Sequence, residues 1–558
     1  MDRRTFLATS LASGVLIWTA NQIPSKFAQL FAVDPAAAIG TETFPQSVAA
    51  GDPQTAGITL WTRVAPQPAT VQVAYQVASD ANFTNVVLSG VANAEASRDY
   101  TVKIQLSDRA ELRPATIYFY RFILNNNPSP VGRFKTLPAA NADLNRVRFA
   151  YISCNDFTNG FFNAMRFMAA EDLDFVVHLG DAIYETVGDP TFQRGIRPLS
   201  LPSGQPSAQS LEDYRFLHKT YLSDPDYQAV REQFAFIYIW DDHEFANDAY
   251  QGFNTDTAIA SQNNTPNRRQ VASQAWAEYT PTSINFNPTN DPLTSIQIYR
   301  SFVFGNLLEL VMTDERLYRD APPCGVAGAA RSLTPGCPEL ADPNRSMLGA
   351  TQRQWFLDKI RNSTRTWKVW GNEVSTMQLI VSKAVVDGAR IPNVTIPVDL
   401  FVTLDQWDGY PVERAQIFTA LRNGNVRNFV TITGDFHTFA AGYQRINYNS
   451  QFAPGTVPAD AVGVEFLVGS VSASNLAEQP NPFGLDINTS TQLLLAGNRH
   501  VQFFNSATHG YSIVEATPTA LTCTMRSVST VLTRGGTIST LKTFRVPKDQ
   551  VLLQEVTG

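Results

Sequence analysis

Six short apolar runs in the later part of the chain end in residues able to ligate a metal or move a proton. Residues 147–153 lead into Cys154-Asn155-Asp156, and residues 174–179 into Gly180-Asp181-Ala182-Ile183-Tyr184-Glu185. Residues 234–239 precede Trp240-Asp241-Asp242-His243-Glu244, and residues 307–312 precede Thr313-Asp314-Glu315-Arg316. The last two are residues 367–370, before Gly371-Asn372-Glu373, and 429–433, before Gly434-Asp435-Phe436-His437. Runs of this length and composition read as buried strands, whereas residues 161–170, 211–222, 354–362 and 412–423 read as helices. The alternation predicts an α/β domain over residues 146–546, with layered β-sheets flanked by helices. Ligands of open α/β sheets sit beyond the carboxyl ends of the strands, so the six endings are expected to meet in one crevice. A single polar strand end carries little information. Six of them predict a shared metal site.

Upstream the pattern changes. Val71, Val73, Tyr75 and Val77 alternate with Gln72, Ala74 and Gln76, the period of a half-buried strand. Similar runs cover residues 86–91, 100–106, 117–124 and 131–135, separated by turn residues such as Asn125-Asn126-Asn127-Pro128. This spacing predicts a small all-β sandwich of immunoglobulin or fibronectin type over residues 42–140. The segment from Leu112 to Phe122, which holds Tyr118 and Tyr120, looks like the strand that carries a tyrosine corner in such domains. No catalytic cluster falls in this region, which reads as a packing or spacing module. Residues 462–546 return to β-like runs and are expected to complete the later sheets. Two polar stretches, 187–209 and 251–268, exceed ordinary connections and read either as site-covering loops or as surface excursions.

The start of the chain has its own signature. Asp2-Arg3-Arg4-Thr5-Phe6-Leu7, a mildly apolar stretch to Ala20 and then Ala36-Ala37-Ala38 predict a twin-arginine export signal over residues 1–38. Periplasmic or extracellular location follows as an expectation, with the twin-arginine translocation machinery as a partner. No run of about 18 apolar residues occurs, so no stable membrane span is expected after signal removal. Charged residues make up 17% and aromatic residues 11%, which excludes a disordered chain. The net charge of -7 provides no field to gather nucleic acid, and no specific nucleic-acid binding is expected. Positive charge for an anionic substrate must then come from bound metal or a few arginines. Cys324 and Cys337 flank a Gly/Ala-rich stretch and read as a disulfide-clamped loop, whereas Cys523 reads as a buried structural thiol.

The chain has only six histidines. His178 lies inside an apolar strand, His218 sits on a helix without evident partners, and His500 and His509 lie outside the strand-end set. His243 and His437 remain as site candidates. A zinc cluster built mainly of imidazole is therefore disfavoured. Carboxylate, carboxamide and phenolate oxygens suit hard cations such as calcium and ferric iron, with Cys154 as a candidate thiolate.

The ordered motifs Gly180-Asp181, Asp241-Asp242-His243-Glu244, Gly371-Asn372-Glu373 and Gly434-Asp435-Phe436-His437 resemble a variant calcineurin-like metallophosphatase, and more narrowly the PhoD-type alkaline phosphatases. Further matching segments are Phe44-Pro45-Gln46-Ser47-Val48, Leu60-Trp61-Thr62-Arg63-Val64 and Leu348-Gly349-Ala350-Thr351-Gln352. The resemblance extends over nearly the whole chain after the signal. It implies an exported phosphoric ester hydrolase using Fe3+ and Ca2+, in which Cys154, Asp181, Tyr184, Asp435 and His437 bind iron. It also implies that Asp181 bridges toward calcium and that Asp242 is a metal ligand. Asn247 and Asn372 stand as metal or phosphate contacts. Water activated by metal is expected to attack phosphorus directly, without a covalent phosphoserine. His243 is the candidate proton donor, and Arg316 the candidate fork for a phosphoryl oxygen. Expected substrates are small phosphoesters or phosphodiester polymers. Two alternatives stay open: a phospholipase D-like phosphodiesterase on the same fold, and a non-catalytic cell-surface binding protein.

Overall fold

The structure, a computed structural model, describes residues 15–19, 23–33, 41–255, 262–325, 332–392, 394–453, 455–479 and 483–556. Arg3, Arg4 and the Ala36-Ala37-Ala38 stretch of the expected signal lie outside the described residues. Among the described residues, no helix is long and apolar enough to cross a membrane.

Two large sheets carry the later part of the chain. One has ten strands, with Val147–Ile152, Phe175–Leu179 and Ala235–Ile239 running parallel at its centre. The other has seven, with Leu308–Met312, Trp367–Asn372, Phe429–Thr433 and Ala461–Leu467 parallel to one another. Phe175–Leu179, Ala235–Ile239, Leu308–Met312 and Phe429–Thr433 are buried at every position. Parallel strands covered on both faces need apolar side chains on both, which is why these runs do not alternate. The sheets share one core, in which Phe149, Val176 and Ile237 of the first join Leu310, Val430 and Phe466 of the second. All six runs anticipated from sequence are strands, and their carboxyl ends face one another across this core. The α/β class holds, with layered sheets flanked by helices.

The four anticipated helices span Asn163–Met168, Leu211–Tyr221, Gly349–Asn362 and Pro411–Asn423. Among the described residues, four others went unforeseen: Pro225–Gln233, Pro266–Tyr279, Lys383–Ala389 and Ile487–Gly497. The first two begin with a proline at their first turn, where its missing N–H costs nothing but where a sequence pattern reads a break. Ile487–Gly497 interrupts the stretch expected to be wholly β.

The sandwich is present, and its sheets are unequal in independence. Val71–Ala78, Val86–Ala94, Ile117–Leu124 and Gly132–Lys135 form one side. The other side, Val48–Gln54, Gly57–Arg63 and Thr101–Leu106, is the end of the ten-stranded sheet, because Val48–Gln54 pairs in parallel with Ala235–Ile239. Leu60, Ile104, Val73, Tyr75 and Tyr120 fill the space between the two sides. Tyr118 accepts the Arg113 N–H at 2.8 Å and donates to the Glu111 carbonyl at 3.3 Å, which is the anticipated tyrosine corner. Val15–Thr19 adds antiparallel to Val86–Ala94. Cys324 and Cys337 form a disulfide, and Cys523 is buried beside Tyr151.

Candidate metal centre

Tight turns bring the strand ends together. Gly180 has φ +95°, and a Cβ there would lie 2.3 Å from Cβ of Asp241, so only glycine lets these two ends touch. A Cβ on Gly434 would lie 2.8 Å from Cβ of Ser153. The Cys154 N–H donates to the Gly180 carbonyl at 3.2 Å, and the Gly434 N–H to the Glu373 carbonyl at 3.1 Å. Glu244 ties two ends at once, accepting the N–H groups of Asp181, Ala182 and Asp241 at 2.7–2.9 Å. Burial raises its carboxyl to about 7, against the pull of those three donors.

The side chains converge in overlapping groups whose ligand atoms lie within 4.8 Å of one another. Cys154, Asp181 and His437 form one; Asp181, Asp242 and His243 a second; Asp181, Asp241, Asp242 and Asp435 a third; Asp242, Asp248 and Asp405 a fourth. Tyr184 joins the first, its hydroxyl 3.1 Å from Asp181 Oδ2 and 3.1 Å from His437 Nε2. His437 Nδ1 donates to the Ser474 carbonyl at 2.6 Å, which leaves Nε2 with its lone pair toward the group. His243 Nδ1 donates to Glu185 at 2.6 Å. Burial alone would lower the His243 imidazole, but Glu185, Asp242 and Asp181 push it well above its ordinary value.

Two of the expected residues are engaged by protein partners. Arg316 does not present a free fork to phosphate. It is fully buried, and its guanidinium is spent on Asp241, on Asp405 at 2.7 Å and on Asp435 at 3.0 Å. A cation among so many acids is held by them, and in turn holds them. Asn372 is likewise committed: its amide donates to the Val374 carbonyl, and its Oδ1 accepts from Trp407 at 3.1 Å. Asn247 stands at the rim, its backbone N–H on Glu185 at 2.8 Å and its side chain on Asp248 at 3.1 Å. His178 meets Asn155 at 2.7 Å and His500 the Gln378 carbonyl at 2.8 Å, both as core residues.

Asp241, Glu185, Asp248 and Asp405 were not picked out in the sequence. Asp241 and Glu185 lay inside motifs already noted. Asp405 follows Leu400–Thr403, a four-residue and mostly half-buried strand too short to stand out as an apolar run.

The donor set fits cations. Asp241 Oδ2 and Asp242 Oδ1 are buried without a hydrogen-bond partner, and such oxygens are costly unless something positive faces them. Burial pushes Asp181 and Asp241 well above the carboxylate range and raises the Cys154 thiol, with the neighbouring acids adding to it. At Asp242 burial is outweighed by Arg316 and His243, which hold it low. Bound cations would remove this shared penalty.

Comparison with known proteins identifies the family of the chain. Residues 149–525 match the PhoD-like phosphatase family, and residues 28–138 match the N-terminal domain of PhoD-like phosphatases. The chain is 30% identical over 541 residues to alkaline phosphatase D of Bacillus subtilis (strain 168), covering 95% of this chain and 85% of that protein. A solved structure of PhoD superposes with a TM-score of 0.80 at 29% identity, covering 94% of each chain. The chain belongs to the PhoD-like phosphatase family, whose members are phosphoric ester hydrolases.

Proposed function

We propose that this chain is an exported phosphoesterase that holds ferric iron through Cys154, Asp181, Tyr184, Asp435 and His437, with calcium on the acidic side. Asp242, Asp248 and Asp405, with Asn247 at the rim, are the candidate calcium ligands, and Asp181 is shared. When bound, the cations neutralise phosphoryl oxygens and make water a stronger nucleophile. The side chains do the rest. His243, oriented by Glu185, keeps a proton within reach of the leaving oxygen, and Arg316 fixes the acids around it. Water attacks phosphorus directly, with no serine ester formed. The observation that carries the reading is that Asp181 belongs both to the sulfur- and imidazole-bearing group and to the all-carboxylate group.

Elemental analysis of the purified protein, with its visible spectrum, tests the metals. Near-stoichiometric iron, calcium and a phenolate-to-iron absorption band are expected. A colourless, iron-free and fully active preparation would reject the Tyr184 assignment. Diesters are favoured by one observation: two clefts open from the site, one beside Glu185 and Asn247 and one beside Asp435 and His437. Initial rates on p-nitrophenyl phosphate and its bis ester compare the two substrate types. Export rests on residues 1–38, and fractionation of an R3K/R4K variant should find it retained in the cytoplasm. A non-catalytic surface role is set aside by the family assignment.

A further inference from the structure

Cys154 and His437 follow strands of different sheets, yet one segment holds both. Residues 468–479 leave the seven-stranded sheet after Leu467 and form neither helix nor strand. The Ser474 carbonyl accepts His437 Nδ1 at 2.6 Å, and the Ser472 and Ala473 N–H groups donate to the Cys154 carbonyl at 3.3 and 3.2 Å. Such a segment has no ladder of its own, so its polar groups and side chains must find partners elsewhere. Those ties converge on Glu478. Its Oε1 lies 3.0 Å from His509 Nε2 and 3.1 Å from Arg194 Nη2, and its Oε2 accepts the Asn475 N–H at 3.2 Å. On the other edge of the imidazole, His509 Nδ1 lies 2.9 Å from Ser470 Oγ. His509 thus ties Ser470 to Glu478, the two ends of the stretch that touches the ligands. The His509 side chain is buried, and that of Glu478 is only 16% exposed. Arg194 brings in the polar stretch 187–209, whose Phe192 carbonyl also accepts Ser474 Oγ at 2.6 Å.

We propose that Glu478, held between His509 and Arg194, is a positioning residue that keeps His437 and Cys154 turned toward Asp181. It acts through residues 470–474 and the Ser474 carbonyl. The proposal rests on the metal-dependent phosphoesterase reading above. Partners that orient a ligating imidazole through its other nitrogen matter nearly as much as the ligand itself. Without Glu478 the Ser474 carbonyl is no longer fixed against Nδ1, and the His437 ring is free to turn. The contacts that hold substrate in the ground state remain, so the loss falls on kcat and leaves KM nearly constant.

The test measures kcat and KM on p-nitrophenyl phosphate, and the rate of metal release to EDTA, for the metal-loaded wild type, E478A, E478Q and H509F. Melting temperatures report folding. E478A and H509F are expected to lower kcat about tenfold with KM within about twofold, and to release metal about fivefold faster or more. E478Q keeps the size and one acceptor oxygen, and should restore kcat to within about threefold of wild type. H509F fills the same buried space and removes the imidazole from Glu478, so it decides the matter if E478A does not fold. A lower melting temperature with kcat and metal release unchanged would mark a merely structural contact and overturn the proposal. A wild type that holds no stoichiometric metal would instead remove the reading on which the proposal rests, and the proposal with it.

Discussion

Cys154, Asp181, Asp435 and His437 all hold left-handed backbone, with φ between +50° and +61°. Non-glycine residues pay of order 1 kcal/mol each for this, least for Asp, Asn and His, and such conformations gather at functional sites. The strain aims side chains that a relaxed strand end would point elsewhere. Asp435→Asn keeps a residue that tolerates the same φ while removing the charge. It should cut activity and metal content by about 100-fold or more with little change in melting temperature. More than a tenth of the activity remaining would take Asp435 out of the site. A second residue effect concerns acid. Burial, with Arg231 nearby, lowers the His218 imidazole to about 3. The unfolded chain then binds the proton more readily than the folded one between about pH 6.5 and 3. His218 stabilises fully above that window, and its contribution is lost as pH falls through it. His218→Phe, which keeps the stack on Tyr279, should therefore lose less stability between pH 7.5 and 5 than the wild type. Parallel urea midpoints at the two pH values check this.

At the scale of elements, close approach matters more than propensity. Gly180→Ala would drive its Cβ against Asp241 and force a left-handed turn on alanine. It should destabilise by about 2 kcal/mol or more and abolish phosphatase activity, measurable by thermal melting and initial rates. Tyr118→Phe, at the tyrosine corner, should cost about 1–2 kcal/mol and leave kcat unchanged. The strands were legible because buried parallel strands are short, apolar and bounded. Pro266–Tyr279 was not, since its buried residues include Arg268, Arg269 and Ser273, so no clean apolar stripe marks it.

For the whole molecule, the pairing of Val48–Gln54 with Ala235–Ile239 makes one sheet serve two layers of structure. Residues 42–140 alone would bare that strand edge, so they are expected to aggregate when expressed by themselves. The full chain should melt in one calorimetric transition, and two separable transitions would contradict this. The sequence by itself determined the strands, their polar endings, the sandwich and the residue types that meet at the site, because local periodicity and composition act over a few residues. Only the tertiary structure decided that Arg316 serves the acids, that Asn372 is locked to Trp407 and that Asp405 enters the cluster. Those outcomes depend on distances between segments far apart in the chain, and burial and charge pairing at such distances leave no local trace.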